Sequence, residues 1–308
     1  MPFRVVLVVD EIDKRLIAEL QKNCRISYQM LSRSYGISAN AIRRRILNLE
    51  ESGEISGYNV YLSSAMVGTS SLFGFLTSDG TRDEIELVDE IGSHQNIIAA
   101  AAYSNGTYAL VAEYRTSEEL LAVSSYLRKL DGIVKADLHP ILSISGTQMD
   151  LTTLHFRVLK WLIEDPRMSI VDIAKNSGLT ARRVRRLLDQ LEQSGAVRFR
   201  ALIELGAAES IPFIETITWE ERTITYAPIL EWIEKTYPLR HWESFISASE
   251  PVLFALFSAE SLTEVTELTR EIRNHPSVKS VTTNISTYHK FFPHYRLNRL
   301  KEMIDSID

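Results

Sequence analysis

The strongest constraint on this chain is that it contains itself twice. A shift of 142 residues lays Gly36 on Gly178 and Gly53 on Gly195 with no gap between them. The same shift pairs Arg15 with Arg157, Leu20 with Leu162, Arg25 with Arg167, Ser27 with Ser169 and Ala39 with Ala181. Arg43-Arg44 falls on Arg185-Arg186, Leu49-Glu50 on Leu191-Glu192, and Ser52-Gly53 on Ser194-Gly195. Over residues 20–55 that makes 11 identities in 36 ungapped positions. A unit of about 140 residues is too long for a solenoid repeat, so a domain-level duplication is the reading.

The first part of each unit reads as three short helices. Ile12, Leu16 and Leu20 recur at helical spacing, as do Leu154, Val158 and Leu162 in the copy. Ser27 is the N-cap of a second helix that turns Met30 and Leu31 inward, and Ser169 with Asp172 resembles a capping box. Tyr35-Gly36-Ile37-Ser38 and Ser177-Gly178-Leu179-Thr180 then supply a left-handed glycine, an apolar plug and a cap for a third helix. Ile42, Ile46 and Leu49 line its inner face, matched by Val184, Leu188 and Leu191, and Gly53 or Gly195 stops it. Helix, glycine turn and capped helix make a helix-turn-helix, whose second helix enters the major groove while its inner face stays packed. The DNA-facing residues are expected to be Ser38, Asn40, Arg43, Arg44, Arg45 and Asn48 in the first copy. In the second they are Thr180, Arg182, Arg183, Arg185, Arg186 and Gln190. Arginine reads guanine in a fork, Asn and Gln read adenine, and any of them can bond phosphate. The competing use of these arginines is intrahelical pairing with Glu50, Glu51, Asp189 and Glu192.

A formal net charge of −6 argues against a nucleic-acid partner only until its distribution is read. Residues 1–60 carry a net of +2 and residues 150–203 a net of +4, whereas residues 61–149 and 204–308 each carry −6. The two basic stretches are the two helix-turn-helix segments. The acidic segments alternate strand and helix in the order βαββαβ, an antiparallel ferredoxin-like sheet with helices on one face. In the first, strands at 72–76, 96–103, 108–114 and 134–144 frame helices at 83–93 and 118–130, with Asn105-Gly106 as a tight hairpin turn. In the second, strands at 211–219, 242–248, 252–257 and 278–287 frame helices at 229–236 and 262–274, and 292–307 adds a C-terminal helix. The fold class is therefore α+β: two winged-helix-type helix-turn-helix domains alternating with two ferredoxin-like βαββαβ sensor domains, at 1–60, 61–148, 149–203 and 204–308.

The series Asp10-Glu11-Ile12-Asp13, Tyr35-Gly36-Ile37-Ser38, Arg45-Ile46-Leu47-Asn48-Leu49-Glu50 and Gly53-Glu54-Ile55-Ser56-Gly57-Tyr58 resembles the Lrp/AsnC family of feast-or-famine regulators. The resemblance covers the first unit well, the second helix-turn-helix moderately and the second sheet domain by order of elements alone. It implies a transcription regulator that binds double-stranded DNA, forms homo-oligomers through its sheet domains and senses a small-molecule effector there. Two departures matter. Family members usually carry one unit per chain, so this chain reads as a covalent pseudo-dimer. The family's effector loop also reads G-x-Y/F-D, whereas Asn105-Gly106-Thr107-Tyr108-Ala109 keeps the glycine and loses the acid. Asn105, Gly106 and Thr107 remain the effector-binding candidates.

The alternatives are an enzyme, since a siroheme decarboxylase shares this architecture, and an oligomerisation partner that does not bind DNA. The seven histidines fall at positions that do not repeat between units, and only His289-Lys290 with His294 cluster. No H-E-x-x-H, glycine phosphate loop or nucleophile elbow is present, so no catalytic residue is assigned. Cys24 is the only cysteine, which excludes an intrachain disulfide and a cysteine metal cluster; no metal and no cofactor are expected. Trp219, Trp232 and Trp242 are read as core aromatics rather than interface anchors. No apolar run approaches the roughly 20 residues of a membrane span, and a reduced cytoplasmic setting is the default. The run at 3–9 reads as a strand or packed arm.

Overall fold

A computed structural model describes residues 9–142, 146–204, 210–220, 226–292 and 294–306. The strand or arm expected at 3–9 lies almost wholly outside them. The chain runs α1 (Glu11–Lys22), α2 (Tyr28–Tyr35), α3 (Ala39–Ser52), β1 (Ile55–Leu62) and α4 (Ser64–Val67). It continues through β2 (Ser70–Ser78), α5 (Glu84–Ile91), β3 (Ile97–Tyr103), β4 (Thr107–Tyr114), α6 (Ser117–Arg128) and β5 (Ile133–Pro140). The second copy repeats the order: α7 (Thr153–Glu164), α8 (Ile170–Ser177), α9 (Ala181–Ser194), β6 (Val197–Ile203) and β7 (Ile211–Thr218). After them come α10 (Ala227–Thr236), β8 (His241–Ile246), β9 (Val252–Ala259), α11 (Leu262–Arg273), β10 (Ser280–Phe291) and α12 (His294–Asp305).

The expected elements are present, but they assemble as two compact units rather than four successive domains. One unit collects both helix-turn-helix segments and the C-terminal helix (1–68, 145–208 and 296–308); the other collects both sheet segments (69–144 and 209–295). Helix α12 thus groups with the helix-turn-helix pair, not with the second sheet domain. The reason is Arg296, nine-tenths buried, whose guanidinium lies over the Tyr61 ring at 4.1 Å and bonds the Leu62 carbonyl and Ser64 Oγ.

Within the helix-turn-helix unit, β1 and β6 form a two-stranded antiparallel ribbon. Its register sets Asn59 opposite Arg200, one residue from the position that repeats Asn59 (Ala201), so the two copies are related by a pseudo-two-fold axis through the ribbon. Leu16, Leu20, Ile42, Ile46 and Leu49 fill the first core, and Val158, Leu162, Val184, Leu188 and Leu191 the second. Met30 departs from expectation: it is 57% exposed, and Leu31 alone turns inward from that pair. Consecutive residues point about 100° apart on a helix, so a narrow buried stripe takes Leu31 and leaves Met30 outside.

The sheet unit is one eight-stranded sheet in the order β5-β2-β4-β3-β10-β7-β9-β8. Strand β10 makes this continuity. Its first half pairs with β7 and its second half with β3, which is why it runs to Phe291, beyond the segment its own repeat requires. Ile141 bridges Ser247, so the two outermost strands also meet and close the sheet upon itself. The enclosed face holds Phe73, Tyr103, Ile214 and Phe254, with Phe73 and Phe254 stacked at 4.5 Å. Helices α5 and α6 cover one half of the outer face, α10 and α11 the other. Trp219 belongs to the second of these cores and Trp232 packs against it, as core aromatics should.

Gly92, at the C-terminus of α5, touches the buried Phe292 so closely that any Cβ would land inside the ring. Gly92→Ala is expected to cost about 1–3 kcal/mol by overpacking, read as a lower denaturant midpoint, with Phe292→Leu restoring part of it.

Candidate nucleic-acid interface

Each third helix is set by the same local chemistry. Gly36 (φ 67°) and Gly178 (φ 66°) end the preceding helix in the left-handed region, where a side chain is strained. Ser38 Oγ then accepts from the Ala41 amide at 3.1 Å, and Thr180 Oγ1 from the Arg183 amide at 3.3 Å. Because these hydroxyls accept, their own protons stay available for a phosphate at the helix N-terminus.

Beyond the caps, the outward face of α3 carries Asn40, Arg43 and Arg44, all exposed, with Asn48 half-buried. That of α9 carries Arg182, Arg183, Arg185 and Arg186, all exposed. No guanidinium of these six arginines has an ion-pair or hydrogen-bond partner among the described residues, so the intrahelical pairing that competed for them is not made. Glu50 and Glu192 are used elsewhere: Glu50 accepts from Tyr58 and Arg167, and Glu192 from Asn23. Six unneutralised guanidiniums on two capped helices suit a polyanion.

Two of the expected DNA contacts are spent inside the fold. Arg45 lies 2.9 Å from Asp10 and 2.8 Å from Asp13, tying α3 to the capping box of α1. Gln190 Oε1 meets His155 Nε2 at 3.2 Å, and His155 Nδ1 accepts from the Thr152 amide at 3.1 Å. His155 repeats Asp13 and Thr152 repeats Asp10, so both copies build one clamp from different chemistry. Arg45 is accordingly removed from the DNA-facing set, and Gln190 has only its amide nitrogen to offer.

Arg25 and Arg167 are matched between the copies in the sequence, which assigns them no task. In the structure they hold the two copies together. Arg25 donates to the Pro166 carbonyl at 2.6 Å and the Met168 carbonyl at 3.0 Å. Its repeat mate Arg167 donates to the hydroxyls of Tyr28 and Tyr58, each at 2.7 Å, and lies over both rings. Conservation of an arginine in two copies of one chain was the available signal. Cys24 is fully buried beside them, and burial pushes its thiol up to about 12, which makes it inert.

In the sheet unit, Asn105, Gly106 and Thr107 form the β3–β4 turn, with Gly106 at φ 73°. Asn105 Oδ1 accepts from the Thr107 amide and hydroxyl, while its Nδ2 donates to Asn284 at 2.9 Å. Of the three effector candidates only Asn105 lines an open groove, with Ser104, Thr266, Arg270, Arg273 and Asn284 among its neighbours. Beneath it Glu215, fully buried on β7, accepts from Thr269 at 2.5 Å and Thr283 at 2.8 Å. Burial raises its carboxyl above the ordinary glutamate range, against the opposing pull of those hydroxyls and Arg273. A folded-state pKa raised this way favours the protonated fold, so stability falls as pH climbs through it. Glu215→Gln, which imitates the protonated form, should melt higher than the parent at pH 7–8, with the gap closing toward pH 4–5.

The histidines do not converge. His139 meets Ser247 at 3.3 Å inside the closed sheet, His241 is held with Ser244 and pushed down to about 4 by burial, and His94 and His275 pack on Tyr126 and Trp232. Lys290 is paired with Asp89 at 2.6 Å, and the side chain of His294 lies outside the described residues. Among the described residues no group of three or more His, Cys, Asp or Glu is arranged to hold a metal ion, and no helix is long and apolar enough to cross a membrane.

Residues 9–50 match the AsnC-type helix-turn-helix domain, and residues 151–198 match a winged helix-turn-helix DNA-binding domain. The HTH-type transcriptional regulator LrpA of Pyrococcus horikoshii is 29% identical over 133 residues, which is 42% of this chain and 92% of that protein. An uncharacterised HTH-type transcriptional regulator of Pyrococcus abyssi is 43% identical over 81 residues, 26% of this chain and 47% of its own length. Among solved structures the siroheme decarboxylase NirDL follows the fold over 97% of this chain and 99% of its own, with a TM-score of 0.55 at 15% identity. At that identity the likeness concerns fold alone, and it extends over the tandem arrangement.

Proposed function

We propose that this chain, a tandem-duplicated relative of the Lrp/AsnC transcription regulators, is a sequence-specific double-stranded-DNA-binding regulator that carries both halves of a helix-turn-helix pair in one polypeptide. The observation that carries this is the set of six unpartnered arginines on the outward faces of α3 and α9, in domains related by the β1–β6 ribbon. Covalent linkage turns the second contact into an intramolecular event, which raises affinity when the two half-sites match the spacing. Ser38, Asn40, Arg43 and Arg44 serve one half-site; Thr180, Arg182, Arg183, Arg185 and Arg186 serve the other. The sheet unit serves as the sensor and as the homo-oligomer contact.

The experiment is binding of the purified chain to the DNA upstream of its own gene, against a scrambled duplex, over a salt series. Preference for the upstream duplex with a linear fall of log affinity against log salt supports the reading. Equal or absent binding at low salt sinks it.

One observation favours a second reading. The tandem fold, over 97% of this chain, is shared with the siroheme decarboxylase NirDL, a structure also solved with an iron-uroporphyrin III analogue. An absorbance titration with that class of tetrapyrrole separates the readings, since a regulator of the proposed kind gives no saturable spectral shift.

A further inference from the structure

Among the differences between the two sheet repeats, one has opened a groove in the second that is shut in the first. The burial patterns of β2 and β7 coincide when Gly74 is set on Glu215, and α6 and α11 coincide when Ser125 is set on Arg270. In the first repeat the space above Gly74 is shut, because a Cβ there would lie 2.8 Å from Leu138 and 3.2 Å from Leu110. Sheet pairing puts Thr283 where Leu138 stands and Ala255 where Leu110 stands. The second repeat has therefore exchanged an apolar plug for Glu215, Thr269 and Thr283, which hydrogen-bond one another beneath a groove of about 390 Å³. Burying a carboxylate costs stability, and at this position the first repeat, with Gly74, does not bear that cost. A surface with no task has no reason to keep it.

The lining fixes the charge of the guest. Arg270 and Arg273, both exposed, carry no ion pair among the described residues. Opposite them stand Ser104, Asn105 and Asn284, and the Asn105–Asn284 bond leaves the Asn284 amide nitrogen free to donate. The lining includes no carboxylate, and the Glu215 oxygens below it are taken by the two threonines. Two guanidiniums and several neutral donors suit an anion with oxygens at both ends. A zwitterionic amino acid would bring its ammonium against two arginines with no acid to receive it.

We propose that this groove binds a small dianion, a dicarboxylate or a phosphate monoester, at one site per chain. The proposal gives the sensor part of the regulator reading a ligand class, but it stands on the groove alone and is tested without DNA. Succinate, glycerol 3-phosphate and, as the zwitterion, glutamine are titrated calorimetrically into the full chain at two ionic strengths. At least one dianion is expected to bind saturably while glutamine does not, and which of the two binds identifies the carboxylate or phosphate source. Arg270→Ser with Arg273→Ala, which puts the first repeat's residue at position 270, should weaken binding at least tenfold. Arg128→Ala, the counterpart of Arg273 in the shut repeat, should leave it unchanged. No saturable dianion binding, equal binding by the Arg270/Arg273 variant, or tighter binding of glutamine overturns the proposal.

Discussion

Replacing Arg182, Arg183, Arg185 and Arg186 together by alanine is expected to weaken DNA binding by two orders of magnitude or more, whereas Arg43→Ala with Arg44→Ala costs about tenfold. The inequality follows from the two exposed faces, four arginines against two on otherwise equivalent helices. Each phosphate contact removed should flatten the slope of log affinity against log salt by about 0.9, and each forked contact to guanine lost costs about 1–3 kcal/mol of discrimination. The slope change and the sequence preference therefore separate arginines that position from arginines that read. The two half-sites should also differ, with the α9 half richer in guanine and inversion of one half-site reducing affinity. Folding gives a clean control. Val184, Leu187, Leu188 and Leu191 make the buried face of α9, none of the four arginines touches it, and alanine is the better helix former. The melting temperature should hold while binding collapses. Affinity unchanged in the fourfold variant would remove α9 from the interface.

The elements were legible because they are local. Left-handed glycines, serine and threonine caps and an Asn-Gly hairpin each declare themselves within four residues, and the 142-residue shift repeats the glycines and caps of the helix-turn-helix segments but not the hairpin. The assembly was not legible, because it rests on pairings far apart in the chain. Nothing near residue 59 announces that it lies opposite Arg200, and β10 reads as a strand of its own repeat until Phe291 is found beside Ala99. Site residues divide the same way. Helical spacing alone put Arg43, Arg44, Arg182, Arg183, Arg185 and Arg186 outside, and they are outside. Arg45 shares their type and stretch of chain, yet its partners at Asp10 and Asp13 are more than 30 residues away. The groove escaped notice because its parts come from the β3–β4 turn, α11 and β10. A hint existed in Arg270 and Arg273, two arginines three residues apart in a strongly acidic segment.

The pairing of the two helix-turn-helix copies depends on Arg25 and Arg167, and Arg167→Met is expected to destabilise their unit by about 3 kcal/mol. The side chain is 19% exposed and joins two phenol oxygens and Glu50, so truncation of its charge strands three polar groups at once. Tyr58 loses a stacking partner as well, worth about another 0.5–1 kcal/mol. Lysine should not rescue, because a single ammonium cannot bond both phenols while lying flat between their rings. Arg25→Met should cost a similar amount by another route, leaving the Pro166 and Met168 carbonyls without their donor. Denaturant melts read the size of the loss. The telling comparison is DNA affinity: the six outward arginines are untouched in both variants, so binding should fall only through loss of the fixed spacing between α3 and α9. A DNA fragment carrying a single half-site should then bind parent and variant alike, whereas a two-site fragment should distinguish them. An Arg167→Met chain that melts with the parent and binds the two-site fragment equally well would mean that the β1–β6 ribbon holds the pair without help.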